Sequence, residues 1–168
     1  MWTISKVFNF EMGHRVWAQK LEHEHLSLST ECACKHLHGH SYEIKVFLSS
    51  NVLDQSSMVT DFKNLNFVKK FLDETLDHKF MIDVNDPLFD KITGIDLGDH
   101  LIDDFTNLSD VFGNNDEFAQ SFVLVNFCPT SENICKHLKE YIQHKIWGFA
   151  TVSAVELWET KKSHCRYE

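Results

Sequence analysis

An α+β fold follows from three patterns in this chain. Residues 3–14, 41–49 and 151–160 alternate apolar and polar residues, as half-buried strands do. Two other stretches repeat apolar residues at helical spacing. The first two strands are separated by a loop without a helical period, and strand, loop, strand with no crossover helix predicts antiparallel pairing.

In the first strand Phe8, Phe10, Met12 and His14 share one parity, so His14 ends the strand on the side of the phenylalanines. Residues 15–34 have no clean period and read as a long loop. In the second strand Tyr42, Ile44, Val46 and Leu48 alternate with Ser41, Glu43 and Lys45. Asp61 is an N-cap residue for the first helix, with Leu65, Val68, Leu72 and Leu76 as its buried stripe and an end near Asp77-His78-Lys79. Residues 83–117 carry ten carboxylates against one lysine, Lys91, and read as an acidic insertion, partly loop, on a solvated surface. The Asp-X-Asp-X-Asp-Gly pattern of a calcium loop is absent from it. The apolar run 122–127 predicts a buried strand. Thr130 or Ser131 caps a second helix, buried along Ile134, Leu138, Tyr141, Ile142 and Ile146 and ended by Gly148. In the last strand Val155 and Leu157 share parity with Glu159.

At 168 residues the chain is expected to form a single domain, 1–168, with the 83–117 segment inside it. A hydrophobic content of 43% with 24% charged residues describes a globule rather than a disordered chain. The net charge of -9 offers no basic stripe for phosphates, which excludes a nucleic-acid partner. No apolar run is long enough to span a bilayer, and the N-terminus lacks the pattern of a signal peptide, so no membrane association is expected. Five cysteines without regular spacing are no disulfide framework and point to a reducing cytoplasm. Eleven histidines are many for this length and hint at metal.

The chemistry concentrates in Cys-Lys-His-Leu-His-Gly-His (34–40), a thiol and three imidazoles within seven residues. His38 and His40 are two apart, so on extended chain both leave one face. Gly39 between them has no side chain to crowd an ion. Two imidazoles on one side of a strand are two-thirds of a catalytic zinc site, which uses three protein ligands and keeps one position open.

Six segments then fall in order: Phe-Glu-Met-Gly-His-Arg (10–15), the 34–40 motif, Met-Val-Thr-Asp-Phe (58–62), Leu-Asp-His-Lys (76–79), Pro-Thr-Ser-Glu-Asn (129–133) and Trp-Glu-Thr (158–160). In these the chain resembles the 6-pyruvoyltetrahydropterin synthase / 6-carboxy-5,6,7,8-tetrahydropterin synthase family over nearly its whole length outside the acidic segment. The resemblance implies a tunnelling fold (T-fold), a four-stranded antiparallel sheet with two helices on one face. It also implies a homo-oligomer, a hexamer of two stacked trimers with active sites between subunits. The run 122–127 departs from that plan, and Ser57 stands where the family usually has glycine.

Carried over residue by residue, the resemblance puts Zn²⁺ ligands at His14, His38 and His40. It puts the catalytic thiol at Cys34, in preference to Cys32, and a catalytic pair at Asp77 and His78. Adjacent residues do not face each other on a helix, so that pair requires the chain to leave the helix there. Thr130, Ser131, Glu132 and Glu159 fall on the pterin-binding positions, with Glu159 also able to join the proton relay. Carboxylates accept hydrogen bonds only, which suits the 2-amino and ring N–H donors of a pterin. Cys128, Cys135 and Cys165 read as packing or surface residues.

The implied small-molecule substrate is 7,8-dihydroneopterin triphosphate. Cys34 as thiolate would take a side-chain proton and His78, held by Asp77, would return one. Two products are open on this scaffold, 6-carboxytetrahydropterin with acetaldehyde (the queuosine-pathway type) or 6-pyruvoyltetrahydropterin. The three residues between Cys34 and His38, and Leu37 before His-Gly-His, favour the first. A cupin-type oxygenase also uses His-X-His on a strand, but Glu43 is off its spacing and the 129–133 and 158–160 segments would go unexplained. A non-catalytic pterin-binding or zinc-storing module is the remaining alternative.

Overall fold

Alternation along residues 3–14 and 41–49 becomes two long strands in the computed structural model, which describes residues 1–20, 24–26, 32–113, 117–146 and 148–168. In chain order the elements are β1 (Trp2–His14), β2 (His38–Ser50), α1 (Asn66–Phe71), β3 (Lys79–Asp83), α2 (Phe89–Thr93), β4 (Thr106–Asn107), α3 (Leu108–Phe112), α4 (Glu117–Gln120), β5 (Phe122–Val125), α5 (Ser131–Lys145), β6 (Thr151–Thr160) and β7 (Ser163–Tyr167). Part of the expected 15–34 loop (21–23 and 27–31) and residues 114–116 of the acidic segment lie outside the described residues. Two compact units organise the chain. One comprises Met1–Glu11, His40–Asp77 and Ser131–Glu168, the other Met12–Gly39 and His78–Thr130.

In the first unit β2 pairs antiparallel with β6, and β6 with β7. Tyr42, Ile44, Val46 and Leu48 are all buried, as their parity requires. The first helical region is composite. A 3₁₀ turn, Phe62–Leu65, is capped by Asp61, whose carboxylate accepts from the Lys63 N–H at 2.8 Å. It leads into α1 and then a π-helical turn, Leu72–Leu76. Through all three geometries Leu65, Val68, Leu72 and Leu76 stay buried, each worth about 1.5–3 kcal/mol relative to exposure. In α5, Ile134, Leu138 and Ile142 are buried, and beyond its end so is Ile146. Tyr141, half-buried, stacks on Phe71 with centroids 4.1 Å apart. Beyond Lys145, Gly148 takes φ +100°.

In the second unit β1 pairs with β3 and β3 with β5, both parallel, and β4 adds antiparallel to β5. The expectation of four antiparallel strands is therefore corrected. The strands hydrogen-bond in one sheet of seven, in the order β4-β5-β3-β1-β2-β6-β7. The α+β class and tunnelling fold stand. Of the added strands, β5 is a short apolar run without alternation, Phe-Val-Leu-Val. All four residues of β5 are buried, the pattern of a parallel strand covered on both faces.

The segment 83–117 also differs from a solvated excursion. Asp83 ends β3 and is buried, as is Asp86. Phe89 and Leu108 pack with Ile82, Ala119, Phe122 and Leu124 in one cluster. The carboxylates dominate the composition, but the apolar residues spaced between them build this cluster.

Candidate metal and pterin site

His14, at the end of β1, is buried to 1% exposure. Its Nδ1 lies 2.7 Å from the Pro129 carbonyl oxygen. A carbonyl only accepts, so Nδ1 carries the proton and Nε2 keeps its lone pair. His38, at the start of β2, repeats the arrangement, with Nδ1 2.8 Å from the His36 carbonyl. The two rings are 4.5 Å apart, tilted by 47°. His40 stands edge-on to Tyr42 at 5.6 Å. Ligand atoms of His14, His38 and His40 all lie within 4.8 Å of one another. Three imidazoles, two with Nδ1 turned to backbone carbonyls, are a donor set that could hold a metal ion.

The glycines beside these histidines sit where a side chain would not fit. A Cβ on Gly13 would meet the Phe80 ring at 2.5 Å, and one on Gly39 would meet the Met12 carbonyl oxygen at 3.0 Å. The sequence reading gave Gly39 the task of leaving room for an ion. At Gly39 the close approach is to the backbone of β1.

Cys34 is half-buried in a short 3₁₀ turn, Ala33–Lys35, and its carbonyl accepts from the Val16 N–H at 2.8 Å. Cys32 precedes the turn, its carbonyl accepting from the Lys35 N–H. Arg15 reaches from β1's end to the same turn, its Nε donating to the Lys35 carbonyl at 2.8 Å. Its Nη1 lies 2.9 Å from both oxygens of Asp86.

Asp77 and His78 sit where the π turn ends. Asp77 is extended, its N–H donating back to the Leu72 carbonyl and its carboxylate accepting the Glu11 N–H at 2.7 Å. His78 is left-handed at φ +58°, and β3 begins at the next residue. The chain thus leaves the helix at Asp77, so both residues lie outside it, the condition under which neighbours can act as a pair. A side chain held in this sparsely populated region is strained, and such strain concentrates at functional sites.

Thr130 precedes α5 and Ser131 opens it. Glu132 lies exposed in its first turn, where the helix dipole favours a negative charge. Glu159, near the end of β6, is half-buried. Both carboxylates act on the thiol of Cys165, which donates to the Ser131 carbonyl at 3.2 Å. Ser131, Glu132 and Glu159 therefore surround one point of the first unit.

A hydrogen bond from the Cys135 thiol holds Cys165 below its ordinary range, against the opposing push of burial and the two carboxylates. Cys135 is driven up by the same bond and by burial. No disulfide joins any of the five cysteines.

Sequence reasoning missed Arg15, Asp86 and Cys165. Arg15 had a signal. An arginine directly after a buried histidine calls for a counter-charge, but the spacing does not single out Asp86, 71 residues on, as its source. Among the described residues no helix is long and apolar enough to cross a membrane.

The family model "6-pyruvoyl tetrahydropterin synthase" matches residues 3–168. The chain is 34% identical to a 6-carboxy-5,6,7,8-tetrahydropterin synthase of Aquifex aeolicus, over 99% of this chain and 98% of that protein. To the Haemophilus influenzae protein of the same name it is 28% identical, over 100% of this chain and 99% of the other. Among solved structures, an uncharacterised protein from Wolinella succinogenes superposes with a TM-score of 0.86 at 40% identity, covering 99% of this chain and 97% of the other. A Caenorhabditis elegans 6-pyruvoyl tetrahydropterin synthase superposes with a TM-score of 0.60 at 24% identity, over 99% of this chain and 94% of the other, a likeness of fold.

Proposed function

This chain belongs to the 6-pyruvoyl tetrahydropterin synthase family, and on that footing we propose that it is a zinc-dependent 6-carboxy-5,6,7,8-tetrahydropterin synthase. It would convert 7,8-dihydroneopterin triphosphate to 6-carboxytetrahydropterin, acetaldehyde and triphosphate, in the cytoplasmic route to 7-deazaguanines such as queuosine. The observation that carries the reading is the triad of His14, His38 and His40, with both defined Nδ1 protons engaged. The names of the Aquifex and Haemophilus relatives support the carboxy product. The three-residue spacing from Cys34 to His38 supports it too.

His14, His38 and His40 would hold a zinc ion, which would supply Lewis acidity toward the substrate side chain. Glu132 and Glu159 accept hydrogen bonds from the pterin's 2-amino and ring N–H groups, with Thr130 and Ser131 beside them, and so orient the ring. A ligand without those donors would leave two carboxylates unmet. Cys34, as thiolate, takes a proton from the side chain. His78, oriented by Asp77, returns one to the neighbouring carbon, and Glu159 can join the relay. The assembly proposed is the family's hexamer of two stacked trimers.

The test is a product assay of zinc-loaded protein with 7,8-dihydroneopterin triphosphate. Mass spectrometry identifies the pterin, and acetaldehyde is measured alongside. A 6-carboxy pterin with equimolar acetaldehyde is the expected result. A pyruvoyl pterin without acetaldehyde would move the chain to the other activity of its family. Retained zinc without turnover would make it a binding module.

A further inference from the structure

Arg15 and Asp86 form an ion pair that is almost wholly out of water, with side chains 12% and 1% exposed. Burying two charges is costly, and their mutual attraction returns that cost only in part. The pair is better explained by what it holds. Arg15 Nε donates to the Lys35 carbonyl, and the next residue, Val16, donates its N–H to the Cys34 carbonyl, both at 2.8 Å. Consecutive residues after His14 thus grip consecutive carbonyls of the turn that carries Cys34.

Asp86 is itself fixed. Its Oδ1 accepts the Leu88 N–H at 2.8 Å, and its own N–H donates to the Asp83 carbonyl. Asp83 in turn accepts Trp17 Nε1 at 2.7 Å and both N–H donors of Asn85 at 2.9 Å. The turn after β3 therefore holds residues 15 and 17 on either side of Val16.

We propose that Arg15 and Asp86 are positioning residues that fix the Cys34 turn for proton transfer. The inference rests on the reading of Cys34 as the base. A three-residue 3₁₀ turn has too few internal bonds to hold a sulfur still, and a displacement of about 1 Å costs on the order of 100-fold in rate. Arginine suits the task because its rigid plane serves Asp86 through one nitrogen and Lys35 through another. A lysine offers one nitrogen on a flexible stem.

The test compares Arg15→Lys and the double variant Arg15→Met/Asp86→Leu with the wild-type holoenzyme. The double variant removes both charges together, so no unpaired charge is left buried. Zinc content, Tm, kcat, KM and the rate of Cys34 alkylation by iodoacetamide are measured. Zinc and KM should hold, kcat should fall about 10–100-fold, and Cys34 alkylation should change about threefold or more. Wild-type kcat and alkylation in a folded variant would overturn the inference. So would failure of the double variant to fold, which would make the pair a support of the fold alone. Cys34→Ala is assayed in parallel. Full turnover there sinks the base assignment itself, whereas a dead Cys34→Ala beside fully active pair variants sinks only the positioning role.

Discussion

Ser57 occupies a left-handed conformation at φ +61°. Its N–H donates to the Asp54 carbonyl, and the N–H groups of Ser56 and Met58 both donate to the Asp54 carboxylate, so the turn is locked by its neighbours. A side chain there costs about 1–2 kcal/mol of steric strain, and glycine would forfeit about 0.5–1 kcal/mol of backbone entropy. Ser57→Gly should therefore stabilise the protein by about 0.5–1 kcal/mol, read from denaturant midpoints at constant m-value. A midpoint at or below wild type would mean that the Ser57 side chain compensates its strain. His78 shares the conformation but is read as functional, so relieving its strain would serve stability alone.

At the scale of elements, α5 and β7 bring two thiols together. Cys135 is buried, its sulfur 3.1 Å from the Val155 carbonyl oxygen, while Cys165 is part-exposed opposite Leu157 of β6. The hydrogen bond between the two thiols lowers Cys165 and, together with burial, raises Cys135. Because thiolate is the reactive form, maleimide near neutral pH should label Cys165 at least about tenfold faster than Cys135. Peptide mapping over time reads this. Equal rates would show that the two thiols do not share a proton. Neither thiol was singled out in the sequence, since their positions, thirty apart in the chain, meet only once the helix lies against the last strand.

For the molecule as a whole, the decisive matter is whether the acidic segment belongs to the core. Leu108 is fully buried and packs with Phe89, Ala119, Phe122 and Leu124. If those contacts support the fold, Leu108→Ala should cost about 2–5 kcal/mol in equilibrium unfolding. A cost below about 1 kcal/mol would return the segment to a surface excursion. Lys79 reinforces the connection. It stands next to His78, and its Nζ donates to Asn107 at 2.6 Å; burial lowers its pKa and Asp110 partly restores it.

The local patterns settled much of this protein. Parity along 8–14 and 42–48 determined which faces are buried, because a strand's side chains alternate whatever it pairs with. The 3.6-residue period determined the stripes of α1 and α5, and survived a change of helix type through the π turn. The order of short motifs was legible as a family and nominated the three histidines.

What only the tertiary structure decided concerns partners distant in sequence. Strand order, the parallel pairing of β3 with β5, and the use of Asp83 and Asp86 as buried counter-groups depend on which segments meet. Composition averages over a segment and cannot tell a carboxylate in water from one facing Trp17 or Arg15. The proton positions on His14 and His38 likewise come from carbonyls that the fold brings to them, one of them 115 residues away along the chain.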